Sequence, residues 1–150
     1  MSYPYKYSRY INLPRIPKDI LAQINPNFDL YEKKDAGYQG NIYNWSDSFN
    51  QPINEWCQQN ICNEMYWGFQ FIRGDLIPHI DNITKVKMTY LVDTGGPDVI
   101  TEWYADDKST VIDSVVLEAN RWHILKVDTW HGVRNVVPGA IRLSITGRIF

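Results

Sequence analysis

The sequence predicts a mainly β fold in one domain, with one or two helices ahead of the strands, and three observations carry that expectation. From residue 65 onward apolar and polar residues alternate with period two, in runs broken by Gly, Pro, Asn or Asp. Residues 50–63, just before, carry the period of a helix instead. A chain of 150 residues, 44% of them hydrophobic, is the size of one ordinary domain with a core and a pocket. Seven or eight short strands after one or two helices make a sandwich or barrel with a helical brace.

Residues 1–16 are rich in Tyr and Pro and lack a sustained period, which reads as an extended arm ending in a strand at 10–13. A short helix follows from Pro17, with Ile20, Leu21 and Ile24 on one face and Pro26 as its stop. Residues 27–48 are polar, with Gly37, Gly40 and several Asn, and read as a long surface loop with brief strand pieces, of the kind that walls an active site. The best helix spans 50–63: Ile53, Trp56, Cys57, Asn60 and Ile61 form one stripe, Asn50 can cap it and Pro52 fits its first turn. Strands are expected at 65–73, 76–80, 85–93, 99–104, 110–118, 122–127, 130–136 and 141–149. This divides the domain into an N-terminal arm with helices at 1–64 and a strand core at 65–150. Gly95-Gly96-Pro97 is a turn and not a phosphate loop, since no Lys-Ser/Thr pair follows it.

The charge is balanced, with 15 basic against 17 acidic residues and a net of −2, so nothing electrostatic asks for nucleic acid or anionic lipid. Cys57 and Cys62 have no second pair and no neighbouring histidines, and read as reduced core thiols. No apolar stretch approaches the roughly 18 residues of a membrane span, and the start lacks the apolar core of a signal peptide, so a cytoplasmic protein is expected. Ten Tyr and six Trp suit a small β-rich core, a substrate cleft, or both.

The chemistry concentrates in five polar residues. His79-Ile80-Asp81 places an imidazole and a carboxylate on one face of an extended strand, His131 supplies a second imidazole, and Arg142-Leu143-Ser144 stands in the last strand. Two imidazoles and one carboxylate suit a non-haem Fe(II) centre with open coordination positions. Each residue alone also has a bland reading, as a hydrogen-bonded strand histidine or an Asp81-Asn82 turn. His123, with no acid two positions away, is read as structural or exposed. Arg148 shares the Arg142 face but is followed at plus two by the chain end, so Arg142-x-Ser144 is preferred.

In order and spacing these residues resemble the iron(II)/2-oxoglutarate-dependent oxygenases, in which His-x-Asp/Glu, a later His and then Arg-x-Ser sit on a double-stranded β-helix, a jelly-roll or cupin-like fold with helices packed outside one sheet. The resemblance covers residues 65–150, with 131–144 as the closest stretch and the interval 82–130 at the short end, as in compact phage or bacterial hydroxylases. It implies that His79, Asp81 and His131 hold Fe(II), that 2-oxoglutarate chelates the metal while Arg142, Ser144 and Tyr90 receive its distal carboxylate, and that O₂ is the co-reactant. The implied reaction is hydroxylation of an amino-acid, peptide or other small-molecule C–H bond with decarboxylation of 2-oxoglutarate to succinate.

Two other readings stay open: a cupin-type metal protein using Glu102, whose His-x-His motif is absent here, and a non-enzymatic, aromatic-rich β-sandwich binding module. The substrate itself is left to the segments 27–48, 94–98 and 106–109, whose Tyr38, Tyr43, Trp45 and acids suit a neutral or cationic molecule. Oligomeric state is not encoded.

Overall fold

The computed structural model describes residues 7–25, 42–46, 51–81 and 84–148. Within them the chain runs β1 (Ser8–Ile11), α1 (Lys18–Leu21), β2 (Tyr43–Ser46), α2 (Gln51–Asn60), β3 (Tyr66–Ile72), β4 (Leu76–His79), β5 (Val86–Asp93), β6 (Ile100–Tyr104), β7 (Val111–Val115), β8 (Trp122–Lys126), β9 (His131–Arg134) and β10 (Arg142–Arg148). The strands form two antiparallel sheets, one of six in the order β1-β8-β5-β10-β3-β2 and one of four in the order β4-β9-β6-β7. From β3 onward the chain changes sheet at every strand except across the β6–β7 hairpin. The mainly β architecture expected from the period-two pattern is present, with both helices N-terminal to the strand core. No helix among the described residues is long and apolar enough to cross a membrane.

Alternation along the central strands gives the six-stranded sheet two different faces. Trp67, Phe69 and Phe71 of β3, Met88 and Tyr90 of β5, Trp122 of β8 and Leu143 and Ile145 of β10 join Ile53 and Cys57 of α2 in the largest apolar cluster. Each large side chain so buried contributes on the order of 1.5 to 3 kcal/mol. Ile53, Trp56, Cys57 and Ile61 of the expected stripe pack on this cluster, whereas Asn60 is exposed with its amide donating to the Trp56 carbonyl, and burial pushes the Cys57 thiol up to about 12. Two smaller clusters fill the space between the sheets. Ile72, Leu76, Val99, Val133 and Val136 lie on one side, and Leu91, Trp103, Leu117, Leu125 and Val127 on the other.

Three expectations shift. The first strand lies at Ser8–Ile11 and not 10–13, because it is set by pairing with β8, Ser8 opposite Leu125 and Ile11 opposite Trp122. Pro17 stands just before α1, which has four residues. Tyr43 and Trp45 belong to β2, a strand piece of the segment expected to be mostly surface loop, paired to the edge of β3 with Trp45 buried. Residues 27–41 and 47–48 of that segment, with Tyr38, Gly37 and Gly40, lie outside the described residues, as do Pro26, Asn50 and Asn82.

The strand pair β4/β9 is irregular at the point where it carries two histidines. Leu76 lies opposite Val133 and His79 opposite His131, so Ile77 and Pro78 together face the single residue Gly132, a bulge in β4. Pro78 is tolerated there because the bulge leaves its position outside the regular ladder, on the strand that ends this sheet among the described residues. Gly132 permits the close approach: a Cβ on it would stand 2.5 Å from the Leu76 carbonyl oxygen. Gly132→Ala should therefore push β4 off β9 and destabilise the fold by about 1 to 3 kcal/mol, read as a lower urea midpoint. An unchanged midpoint would show that the two strands do not depend on this contact.

Candidate metal centre

The β4 bulge and the β9 register make His79 and His131 cross-strand partners, with ring centroids 4.3 Å apart. Asp81 follows β4, and its backbone N–H donates to the Val127 carbonyl at 2.8 Å, which ties this segment to the end of β8. Its Oδ1 lies 3.6 Å from His79 Nε2 and 3.5 Å from His131 Nε2. One ligand atom from each of the three residues falls within 4.8 Å of the others. They are the one group of metal-ligating side chains found among the described residues.

Both rings are oriented in the same way. His79 Nδ1 faces the Ile77 carbonyl at 2.8 Å, and His131 Nδ1 faces the Thr129 carbonyl at 2.7 Å. A carbonyl only accepts, so each Nδ1 carries the proton and each Nε2 keeps its lone pair for a metal. His131 is 5% exposed, and its Nε2 is buried with no hydrogen-bond partner. A buried lone pair without a donor costs about 1 to 3 kcal/mol, a cost that a cation at this point removes.

Burial and the neighbouring His131 ring push His79 down to about 4, against the smaller opposing effects of the Ile77 carbonyl and Asp81. Burial alone would raise Asp81; the His131 contact and the Lys87 charge more than offset it and hold the carboxyl well below the usual carboxylate range. At neutral pH the group therefore offers a neutral His79 imidazole and an ionised carboxylate, the protonation states a metal requires.

A narrow cleft, partly open to solvent, runs from His79 and His131 between the sheets to Arg142. Its six-stranded side carries Gln70, Lys87, Thr89 and Ser144, and its four-stranded side Thr101, Leu76 and Val133. Arg142 is 5% exposed and donates from Nη2 to Thr101 Oγ1 at 2.9 Å; burial lowers it to about 10, so it stays charged. Ser144 donates to Gln70 Oε1 at 3.2 Å. The structure thus brings His79, Asp81 and His131 together and puts Arg142 and Ser144 in the adjoining cleft.

Tyr90 is a correction. It is 1% exposed and faces away from the cleft, into the α2-side core, its ring 4.9 Å from that of Trp122 and its hydroxyl hydrogen-bonded to the Ile16 backbone. On β5 the cleft face belongs to Lys87, Thr89 and Leu91, and Tyr90 is out of phase with them. Glu102 is also displaced from any metal role. It lies outside the triad, held by two hydrogen bonds from Arg134 at 3.0 and 2.6 Å and one from the Tyr104 hydroxyl at 2.7 Å. Arg148 packs its guanidinium over the Trp45 ring at 3.7 Å. His123 is buried in β8 beside Tyr10.

In the turn 94–98, Gly95, at φ 81°, packs against the Arg142 backbone, and no residue of the turn lines the cleft. Sequence reasoning missed Lys87, Gln70 and Thr101. Their signal was a strand phase: Lys87 alternates with Met88 and Tyr90, the apolar side of β5.

In the metal-free protein the unfolded chain takes up a proton on a histidine near pH 6.5 that folded His79 resists until about 4. The stability this contributes is full above pH 6.5 and lost as pH falls through the window, by up to about 3 kcal/mol. His79→Gln should flatten this part of the pH profile, measured as urea midpoints between pH 7 and 4.5, and an unaltered slope would contradict it. No protein-family model and no curated protein matches this chain, so the chemistry of the site carries the functional reading.

Proposed function

We propose that this protein is an Fe(II)- and 2-oxoglutarate-dependent oxygenase on a double-stranded β-helix. It hydroxylates a small-molecule or peptide C–H bond while 2-oxoglutarate and O₂ become succinate and CO₂, one oxygen atom entering the substrate and one the succinate. The observation that carries this reading is the buried His131 Nε2, which meets no hydrogen-bond donor and has Asp81 Oδ1 3.5 Å away, beside His79 at one end of a cleft whose other end holds buried Arg142. The strand order is in keeping with the fold: β3 to β10 divide into β8-β5-β10-β3 and β4-β9-β6-β7, the chain passing back and forth between two facing sheets.

His79, Asp81 and His131 would hold Fe(II), two imidazoles and one carboxylate leaving positions open. The metal would supply O₂ activation and a chelating point for a 2-oxo acid. The chain's own residues do the positioning. The Arg142 guanidinium, steadied by Thr101, presents charge-assisted donors to a distal carboxylate. Ser144 can turn its hydroxyl from Gln70 to the same group. Leu76, Leu91, Leu125 and Val133 wall the cleft with apolar surface that limits water around the reacting groups.

The alternatives lose support from particular residues. A cupin-type site would need Glu102, which Arg134 and Tyr104 occupy. An aromatic binding platform would need a group of exposed rings, whereas among the described residues Trp45, Trp67, Trp103 and Trp122 are buried and the exposed Tyr10 and Tyr66 stand on separate strands, β1 and β3.

Kept anaerobic, the protein with Fe(II) and 2-oxoglutarate should show the weak visible charge-transfer band of a metal chelate, and Asp81→Ala should abolish it. Arg142→Ala should weaken 2-oxoglutarate by roughly 2 to 4 kcal/mol and leave metal binding intact. Loss of metal affinity with cosubstrate affinity retained would overturn the role given to Arg142, and the absence of any band in the unaltered protein would overturn the proposal.

A further inference from the structure

We propose that Lys87 is a second anion-binding residue of the cleft, one that takes the carboxylate of a 2-oxo acid at the metal end while Arg142 takes the carboxylate at the far end. The inference rests on the proposed function and adds to it a residue that no motif in the chain marks.

Lys87 is 7% exposed and lies on the cleft face of β5, opposite Leu125 of β8. Its Nζ donates to Gln70 Oε1 at 3.3 Å. An ammonium has nothing to accept with, so the amide oxygen of Gln70 must face it, and the same oxygen receives the Ser144 hydroxyl at 3.2 Å. Both lone pairs of that oxygen are thereby used. Of the three ammonium protons one is answered, and among the described residues no carboxylate lies within ion-pair distance. A buried ammonium with spare donors is unfavourable until an anion completes it.

The position of Lys87 selects which anion. Burial works against its charge, and of its charged neighbours Asp81 is the one that favours the ammonium, ahead of repulsion from Arg148 and Arg142. Once Asp81 serves a metal, its charge no longer compensates Lys87. On β10, Lys87 is in register with Arg148, whereas Arg142 begins the strand at its other end. The cleft therefore presents a metal group, then one cation, then a second, an arrangement that suits a short dianion charged at both ends.

The test is an anaerobic titration of the Fe(II) protein with 2-oxoglutarate and with pyruvate, which keeps the 2-oxo acid and lacks the distal carboxylate, following the chelate band. Lys87→Met should weaken both acids by a similar factor, on the order of tenfold to a hundredfold, with Fe(II) affinity and melting temperature retained. Arg142→Ala should weaken 2-oxoglutarate alone. Lys87→Gln serves as the second neutral variant should Lys87→Met fail to fold, and Lys87→Arg should keep part of the affinity. Loss confined to 2-oxoglutarate would move Lys87 to the far carboxylate, and no loss of either would make it structural; both overturn the inference while the oxygenase reading stands. Unaltered protein that takes up Fe(II) yet forms no chelate with either acid overturns both.

Discussion

The structure depends on keeping the two faces of the six-stranded sheet apart. In β10, Ser144 lies between Gln70 and Leu91, and the next residue, Ile145, between Phe69 and Tyr90. Even positions of that strand thus meet the cleft and odd positions meet the helix-side core. A slip of one residue would drive Arg142 among tryptophans and phenylalanines and turn Ile145 into the polar cleft. A buried charge without partners costs several kcal/mol, so the register is held by far more than the hydrogen bonds of the ladder. The cleft inherits its chemistry from this division, since all its polar groups from the large sheet share one phase.

That same phase explains what was legible in the sequence. His79 and Asp81, and Arg142 and Ser144, stand two apart on strand-like runs, and alternation suffices to put each pair on one side. The pairing of His79 with His131 was not legible, because it is made by the β4 bulge and by the room left at Gly132. Tyr90 shows the opposite failure. The family resemblance puts it at the distal carboxylate, whereas Met88, Tyr90 and Val92 alternate with Lys87, Thr89 and Leu91 and so belong to the core. Lys87 was passed over because a lysine on a strand is ordinarily solvated; only the facing sheet covers it.

The cleft is electrostatically unfavourable to the fold. Two cations lie under cover within it, Arg142 steadied by one hydroxyl and Lys87 by one amide, and the acid that most offsets Lys87 is also a member of the histidine triad. Replacing such groups by apolar ones commonly leaves a protein as stable or more so. Their presence is more simply understood through binding than through folding. The apolar clusters on either side of the cleft, with Ile72 and Val133 on one flank and Leu91 and Trp103 on the other, hold the walls in place while these groups stay under-satisfied.

The edge strand β4 has one further consequence. A strand at the end of a sheet can act as a template on which another extended chain adds itself, and among the described residues β4, which carries His79, ends its sheet. Four residues interrupted by a bulge, one of them a proline without an N–H, offer too few consecutive donors for such an addition. The irregularity that sets one histidine across from the other thus also makes β4 a poor template for a foreign strand.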